Sequence, residues 1–410
     1  MIPNNTMIVG DGQYYSLDCY KTGVNNNVLV VGAAGSGKTR SIVTPNILQA
    51  TGSYVISDPK GLLYKEYHKY LRERGYVVKK LDLIHPKQSN KYNFFEYIRT
   101  EQDIIKVSHM LCDICTGEGT HKDPFWDQSS ELLLTSLIAY LVERGVASDM
   151  TMHNILSLVT ACEVNENDGS SRTVLDRMMD SHQMQHPDSF AYRQYQKFRI
   201  AAGRTIRSIL ISLSAKLGIY DFAELNSMLK ADQMDLPSIG KKKTAVFVVI
   251  SDKDRSLDGI ANLFYSQTME ELCKYADDRC KNGRLPVDVR FILDDFATNC
   301  VVTDFPQMIS SIRSRGISTM LMLQAEGQLN VCYPNEKDTI IGNCDTYVYL
   351  GGNDLSTAES VAIRCDVPMK TVLNMPIRTS WIMRRGQEPV KVPQFNLDKY
   401  WEIAGGVEER

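Results

Sequence analysis

Short apolar runs, each closed by polar or glycine-bearing residues, recur toward both ends of this chain, and a long stretch of helical periodicity separates them. Val28-Leu29-Val30-Val31, Tyr54-Val55-Ile56, Ala245 to Ile250, Phe291-Ile292-Leu293, Thr319 to Leu323 and Tyr347 to Leu350 are continuous rather than alternating. That pattern belongs to parallel strands covered on both faces. Near the start, Met7-Ile8-Val9 and the turn Gly10-Asp11-Gly12 predict a small β element within residues 1–24. A helix over Leu62 to Arg74 and a strand over Tyr76 to Leu81 extend the first strands into a β-α-β-α-β run. Helices are also expected over Gly259 to Ala276, Phe305 to Arg313 and Leu355 to Arg364. Ser380 to Met383 and Val390 to Val392 predict a hairpin turning at Gly386-Gln387-Glu388-Pro389.

From about Glu101 the period changes. Residues 101–114, 126–144, 151–162, 172–183 and 188–200 read as helices, with no convincing strand among them. The fold class is therefore α/β, a mostly parallel central sheet interrupted by an all-α insertion. The expected boundaries are 1–100, 101–217 and 218–410. Tyr192, Tyr195, Lys197, Phe198 and Arg199 on the last of these helices are either a substrate-facing surface or half-buried packing with solvated tips.

Composition narrows the class without choosing a function. The 410 residues are 43% hydrophobic and 23% charged, with a net charge of −3, values of an ordinary folded chain. This balance neither asks for nucleic acid nor forbids it, since a groove can be locally basic in an acidic protein. No segment has the apolar length of a membrane span, and the start is polar and uncharged, so the chain as given reads as soluble. Ten scattered cysteines fit a reducing compartment, and Cys112 and Cys115 read as buried thiols of a helix rather than zinc ligands.

The chemistry enters with Gly32-Ala33-Ala34-Gly35-Ser36-Gly37-Lys38-Thr39, a full G-x-x-x-x-G-K-[ST] match between a strand and a helix start. Glycines there let the backbone curl its N–H groups toward one anion, and the following helix start adds positive potential. Lys38 would reach the β- and γ-phosphates, Thr39 would join the shell of Mg²⁺, and Arg40 extends the nucleotide-binding stretch. Pro45 removes a helix N–H, so the helix should bend or restart at Thr44-Pro45-Asn46. The buried run ending in Asp294-Asp295 supplies a candidate metal ligand, Asp294, and a candidate water-orienting base, Asp295. Gln324, at the tip of a neighbouring strand, is a candidate for contacting the γ-phosphate or the water. Arg313 and Arg315 are a solvated turn or a source of charge for phosphoryl transfer. Asp58 and Lys60 either rim the site or start a helix, with Asp58 as cap and Pro59 at its first position.

These stretches resemble the coupling proteins of type IV secretion, the TraG/TraD-like conjugation ATPases, in the Gram-positive style. The resemblance lies in GAAGSGKT at 32–39, SDPKGLLY at 57–64, DPFWDQSSELLL at 123–134, RFILDDFA at 290–297, the Gln324 strand and CDTYVYLGG at 344–352. It implies a RecA-like P-loop NTPase domain with the all-α domain inserted, ATP and Mg²⁺ as cofactors, and a homo-hexamer with nucleotide at subunit interfaces. It further implies a motor at the cytoplasmic face of the membrane that delivers relaxase-bound single-stranded DNA, or protein, to the secretion channel. By the same resemblance Arg313 is placed as an arginine acting on the neighbouring subunit's nucleotide, and residues 101–217 are associated with cargo. The chain departs from the family in carrying Asp295 where Glu is usual, and in showing no N-terminal anchor. It therefore reads as a soluble fragment, expected to be monomeric in isolation, or as a chain whose anchor a partner supplies. Two other readings stay open: an ATP-binding adaptor for secreted protein with little hydrolysis, and a RecA-like DNA translocase outside conjugation.

Overall fold

The computed structural model describes residues 2–112, 124–162, 172–200, 203–297 and 300–400. Its strands are β1 (Thr6–Gly10), β2 (Gln13–Ser16), β3 (Val28–Val31), β4 (Ser53–Pro59), β5 (Val77–Asp82), β6 (Thr244–Ile250), β7 (Val289–Leu293), β8 (Ile317–Leu323), β9 (Thr346–Tyr349), β10 (Thr379–Arg384) and β11 (Val390–Pro393). β1 and β2 form the small hairpin expected near the start. The other nine make one sheet in the order β11-β10-β9-β3-β8-β7-β4-β6-β5. The pairs β9/β3, β3/β8, β8/β7, β7/β4 and β4/β6 are parallel, while β10 runs antiparallel to both β9 and β11. The continuous apolar runs explain this arrangement. Val28, Val30, Ile56, Phe247, Ile292, Met320, Met322 and Val348 pack into one core on one face, and Leu29, Val55, Val246, Phe291 and Leu321 are equally buried on the other.

Several elements end elsewhere than the pattern suggested. β4 continues past Ile56 because Ser57, Asp58 and Pro59 pair with Val248, Val249 and Ile250. Pro59 is thus a strand residue, and the helix Leu62–Glu73 starts only after Lys60 and Gly61 take left-handed φ values of 78° and 72°. After the glycine loop the chain winds as a π-helix over Thr39–Val43, then as an α-helix over Thr44–Leu48. The switch falls at Pro45, which has no N–H to give to an uninterrupted ladder. Buried Asn46 offsets the irregularity: its Nδ2 donates to Ile42 O and Ile8 O, both at 2.7 Å, and its Oδ1 accepts from Ile8 N–H. The expected helix to Arg313 stops at Ile309, and a 3-10 turn covers Ile312–Arg315.

The described chain divides into two compact units. One comprises residues 1–80, 235–252 and 268–410 and carries the sheet; the other comprises 81–234 and 253–267 and is helical. Periodicity alone places the start of the helical part at 101 and its end at 217. The observed unit also takes in the segment from 81 because buried Tyr92 and Phe94 belong to its interior, where Phe94 O accepts from Gln267 Nε2 at 3.1 Å. The expected helices appear as Glu101–Cys112, Pro124–Arg144, Met152–Ala161, Val174–Gln185 and Phe190–Arg199, joined by Gly203–Gly218 and Ala223–Leu229. Pro124–Arg144 is the hub: Leu133, Leu134, Leu137 and Ile138 are fully buried against the surrounding helices. Tyr195 and Phe198 are core rather than surface, and Tyr195 Oη donates to Asp176 at 2.9 Å. Cys115, Asp123 and the chain end from 401 lie outside the described residues. Among the described residues, no helix is long and apolar enough to cross a membrane.

Candidate nucleotide site

Parallel pairing brings the carboxyl-terminal tips of β3, β7 and β8 to one edge of the sheet, where ligands of open α/β sheets bind. β8 lies between the other two, with Val31 beside Leu323 and Leu293 beside Leu321. The loop Gly32 to Thr39 therefore leaves the same edge as Asp294, Asp295 and Gln324. Its glycines have separate causes. A Cβ on Gly32 would stand 2.5 Å from Ser36 Oγ and 2.9 Å from Leu350 Cβ, so no larger residue fits. Gly35 and Gly37 hold φ values of 75° and 95°, which L side chains resist.

Lys38 folds its ammonium back onto the loop, donating to Gly32 O and, at 3.2 Å, to Ala33 O. Thr39 Oγ1 lies 3.4 Å from Asp294 Oδ2, and Gln324 Nε2 lies 3.4 Å from Asp295 Oδ1. Burial, then the charge of Asp295, raises the Asp294 pKa, while Lys38 and hydrogen bonds from the Asp295 N–H and Thr39 hold it back. Burial lowers that of Lys38 against the pull of Asp294 and Asp295. Asp295 has φ 51°, an unusual value for a residue other than glycine, at the turn that brings the second carboxylate to the site.

The residues present fit a magnesium-bound polyphosphate. Among the described residues, Ser36 Oγ is buried inside the loop without a hydrogen-bond partner, and Lys38 hydrogen-bonds only to loop carbonyls. Asp294 and Thr39 offer a hard oxygen pair at a spacing that one octahedral cation can share.

Supporting contacts come from residues that local patterns do not single out. Gln394 donates from Nε2 to Ser36 O at 3.0 Å, and Ala33 N–H donates to Gly351 O at 2.9 Å, so the far end of the chain braces the loop. Gln328 Oε1 accepts from Gln324 N–H at 2.7 Å and sets the amide's backbone. No local signal marks Gln394, because its role depends on a partner 358 positions away. Asp58 is 1% exposed and accepts from Leu63 N–H at 3.0 Å and Tyr64 N–H at 2.7 Å. It thus satisfies the helix start from inside the strand, and the residue at the cap position is Gly61. Burial raises its pKa to about 6 against the lowering effect of those N–H groups. Its neighbour Ser57 donates to Asp294 O at 3.2 Å. Lys60 pairs with Asp252 at 3.0 Å. Arg40, expected at the nucleotide, donates from Nη2 to both carboxylate oxygens of Asp398 at 2.6 and 2.7 Å. Arg313 is not brought to these groups. It lies just ahead of β8, at the amino-terminal edge, donating to Cys19 O at 2.9 Å. A seven-residue strand separates that edge from the Gln324 tip, about 20 Å at ~3.3 Å per residue.

A parallel sheet with a phosphate loop, two strand-end carboxylates and an intervening amide defines the class, a RecA-like P-loop NTPase fold. The chain belongs to the type IV secretory system conjugative DNA transfer family, which it matches over residues 3–376. It acts in conjugative DNA transfer by type IV secretion. The fold is similar to that of the plasmid coupling protein TrwB in complex with the non-hydrolysable ATP analogue ADPNP, with TM-score 0.69, 15% identity, and 95% of this chain and 89% of that chain covered. TrwB in complex with ADP and Mg²⁺ gives TM-score 0.68, 16% identity and the same coverage of 95% and 89%. VirB4 of Thermoanaerobacter pseudethanolicus gives 0.57 at 13% identity, covering 95% of this chain and 96% of that one. No curated protein matches the chain by sequence.

Proposed function

We propose that the protein is an ATPase that binds ATP with Mg²⁺ in the Gly32 to Arg40 stretch and uses hydrolysis to move single-stranded DNA, with its attached relaxase, toward a type IV secretion channel. The observation that carries this reading is the approach of Thr39 to Asp294 within 3.4 Å, beside Lys38 and Asp295, by residues 255 positions apart. Bound Mg²⁺ supplies charge neutralisation at the phosphates. Lys38 turns from the loop carbonyls to the β- and γ-phosphates. Ser36 Oγ and the loop N–H groups take phosphate oxygens, and Thr39 and Asp294 hold the metal. Asp295, oriented by Gln324, accepts a proton from the attacking water as the bond to the γ-phosphorus forms and ADP leaves. Asp reaches less far than the Glu that the resemblance leads one to expect, and the left-handed turn at Asp295 works to the same end by carrying its carboxylate to Gln324.

Because Arg313 stands at the opposite edge, its proposed action is on the nucleotide of a neighbouring copy in a hexamer. The helical unit is assigned to cargo, and the working position is the cytoplasmic face of the membrane.

The test is ATP turnover with and without single-stranded DNA. Lys38→Ala should abolish turnover while the far-ultraviolet circular dichroism stays that of the parent; a variant with full turnover removes the loop from the mechanism. Mixing Arg313→Ala with Lys38→Ala chains should restore part of the activity. No rescue under conditions where mixed hexamers form counts against action in trans.

A further inference from the structure

The sheet-bearing unit contains a cavity of about 410 Å³ at the amino-terminal edge, away from the phosphate loop. Around it stand Arg284, Arg290, Arg313 and Lys243, with Asp288 as the one carboxylate among the described lining residues. Asp288 is already engaged, both its oxygens accepting from Arg284 Nη2 at 2.7 Å. Arg290 is the unusual member. It sits on central strand β7 between Tyr54 and Ser318, is 6% exposed, and among the described residues gives one hydrogen bond, from Nε to Ser318 Oγ at 3.4 Å. Among the described residues no carboxylate forms an ion pair with it.

A buried lysine in this position could shed its proton, but a guanidinium cannot. Asp288, already held by Arg284, offsets this charge only in part, and a buried charge left partly compensated is costly, so the site favours an added anion. The lining cations come from separate elements: Arg290 from β7, Arg313 from the turn before β8 with Nη2 on Cys19 O at 2.9 Å, Lys243 from the residue before β6 with Nζ on Ala50 O at 2.9 Å, and Arg284 from the loop before β7. A carboxylate presents one edge and serves one fork, whereas a tetrahedral oxyanion has oxygens in every direction. The volume would hold roughly a dozen waters at about 30 Å³ each, enough for a phosphate or pyrophosphate group with part of its hydration.

We infer that this cavity is a second anion site, selective for a group of the phosphate class and centred on Arg290. It does not depend on the role proposed for Arg313 in trans. Free phosphate would be held by a single chain, and the terminal phosphoryl group of a nucleotide carried by a second copy offers the same chemistry.

The experiment is calorimetric titration of Lys38→Ala protein with inorganic phosphate and with pyrophosphate at constant ionic strength. The parent binds in one-site fashion, and adding Arg290→Met weakens binding by about tenfold or more, the loss of a charged hydrogen-bond donor. Asp288→Asn acts in the opposite direction and tightens binding, because it releases Arg284. Should Arg290→Met fail to fold, Lys243→Met on the exposed rim and Arg290→Lys take its place, each weakening binding. Sedimentation of Lys38→Ala chains with an ADPNP-loaded, Arg290→Met copy separates the sources: an association that needs Arg290 of the first chain and the nucleotide of the second identifies the phosphoryl group. Phosphate binding by the first chain alone identifies the free anion. Affinity unchanged by Arg290→Met and by Asp288→Asn, or no binding in either arm, overturns the proposal.

Discussion

The stability of Asp58→Asn relative to the parent should rise with pH. The Asp58 carboxyl group is 1% exposed and burial lifts its pKa to about 6, while an unfolded chain releases that proton at an ordinary aspartate pKa near 3.9. Below about pH 4 the group is protonated in both states and costs nothing. Between about pH 4 and pH 6 the unfolded chain has lost the proton and the folded protein still holds it, so stability falls as pH rises; above about pH 6 the loss is complete. A gap of roughly two pH units at 1.36 kcal/mol each makes that loss about 3 kcal/mol. The amide introduced by Asp58→Asn cannot ionise, and it keeps one acceptor for Leu63 or Tyr64 N–H. Urea denaturation of both proteins at pH steps from about 4 to about 8 should therefore give a stability difference, variant minus parent, that grows by about 3 kcal/mol. Contributions common to both proteins cancel. A difference that stays flat over that range would refute the assignment of Asp58 as a buried acid ionised against its surroundings.

Other substitutions probe the supports of the site. Gly37→Ala forces an L residue to φ 95° with its Cβ 2.8 Å from Gln394 Oε1, and should cost about 1–2 kcal/mol for the backbone alone. Adding Gln394→Ala relieves the clash but not the backbone part, so thermal melting of the double variant should recover only partly. Asn46→Ala leaves Ile8 N–H and O without their side-chain partners inside the core and should destabilise by about 2–3 kcal/mol, read by urea denaturation. In the helical unit, Leu137→Ala empties a fully buried position and should cost about 2–5 kcal/mol; a cost below about 1 kcal/mol would show that the hub helix is not packed as described.

The strand-end chemistry also couples to pH. Burial and the neighbouring Asp295 hold the Asp294 pKa up, and burial holds that of Lys38 down. A divalent cation between Thr39 and Asp294 favours the ionised carboxylate, so metal binding there releases protons and strengthens as pH rises.

What could be read from the chain alone is what short-range physics specifies. Continuous apolar runs marked the parallel strands, the spacing Gly32 to Thr39 marked the phosphate loop, and the apolar run ending in Asp294-Asp295 marked a strand tip, because each property belongs to a few adjacent residues. Where one residue must meet another far along the chain, the local pattern is silent. Only the folded sheet decided that β8 separates β3 from β7, which brings Gln324 to Asp295 and sends Arg313 to the opposite edge. The same holds for Pro59, which ends a strand instead of opening a helix because its neighbours found partners on β6. It holds for Gln394 against the loop, and for Arg290, buried beside a carboxylate that Arg284 already holds. Backbone conformation is set by neighbours in sequence, while charge compensation and bracing are set by neighbours in space, and only the completed packing says who those are.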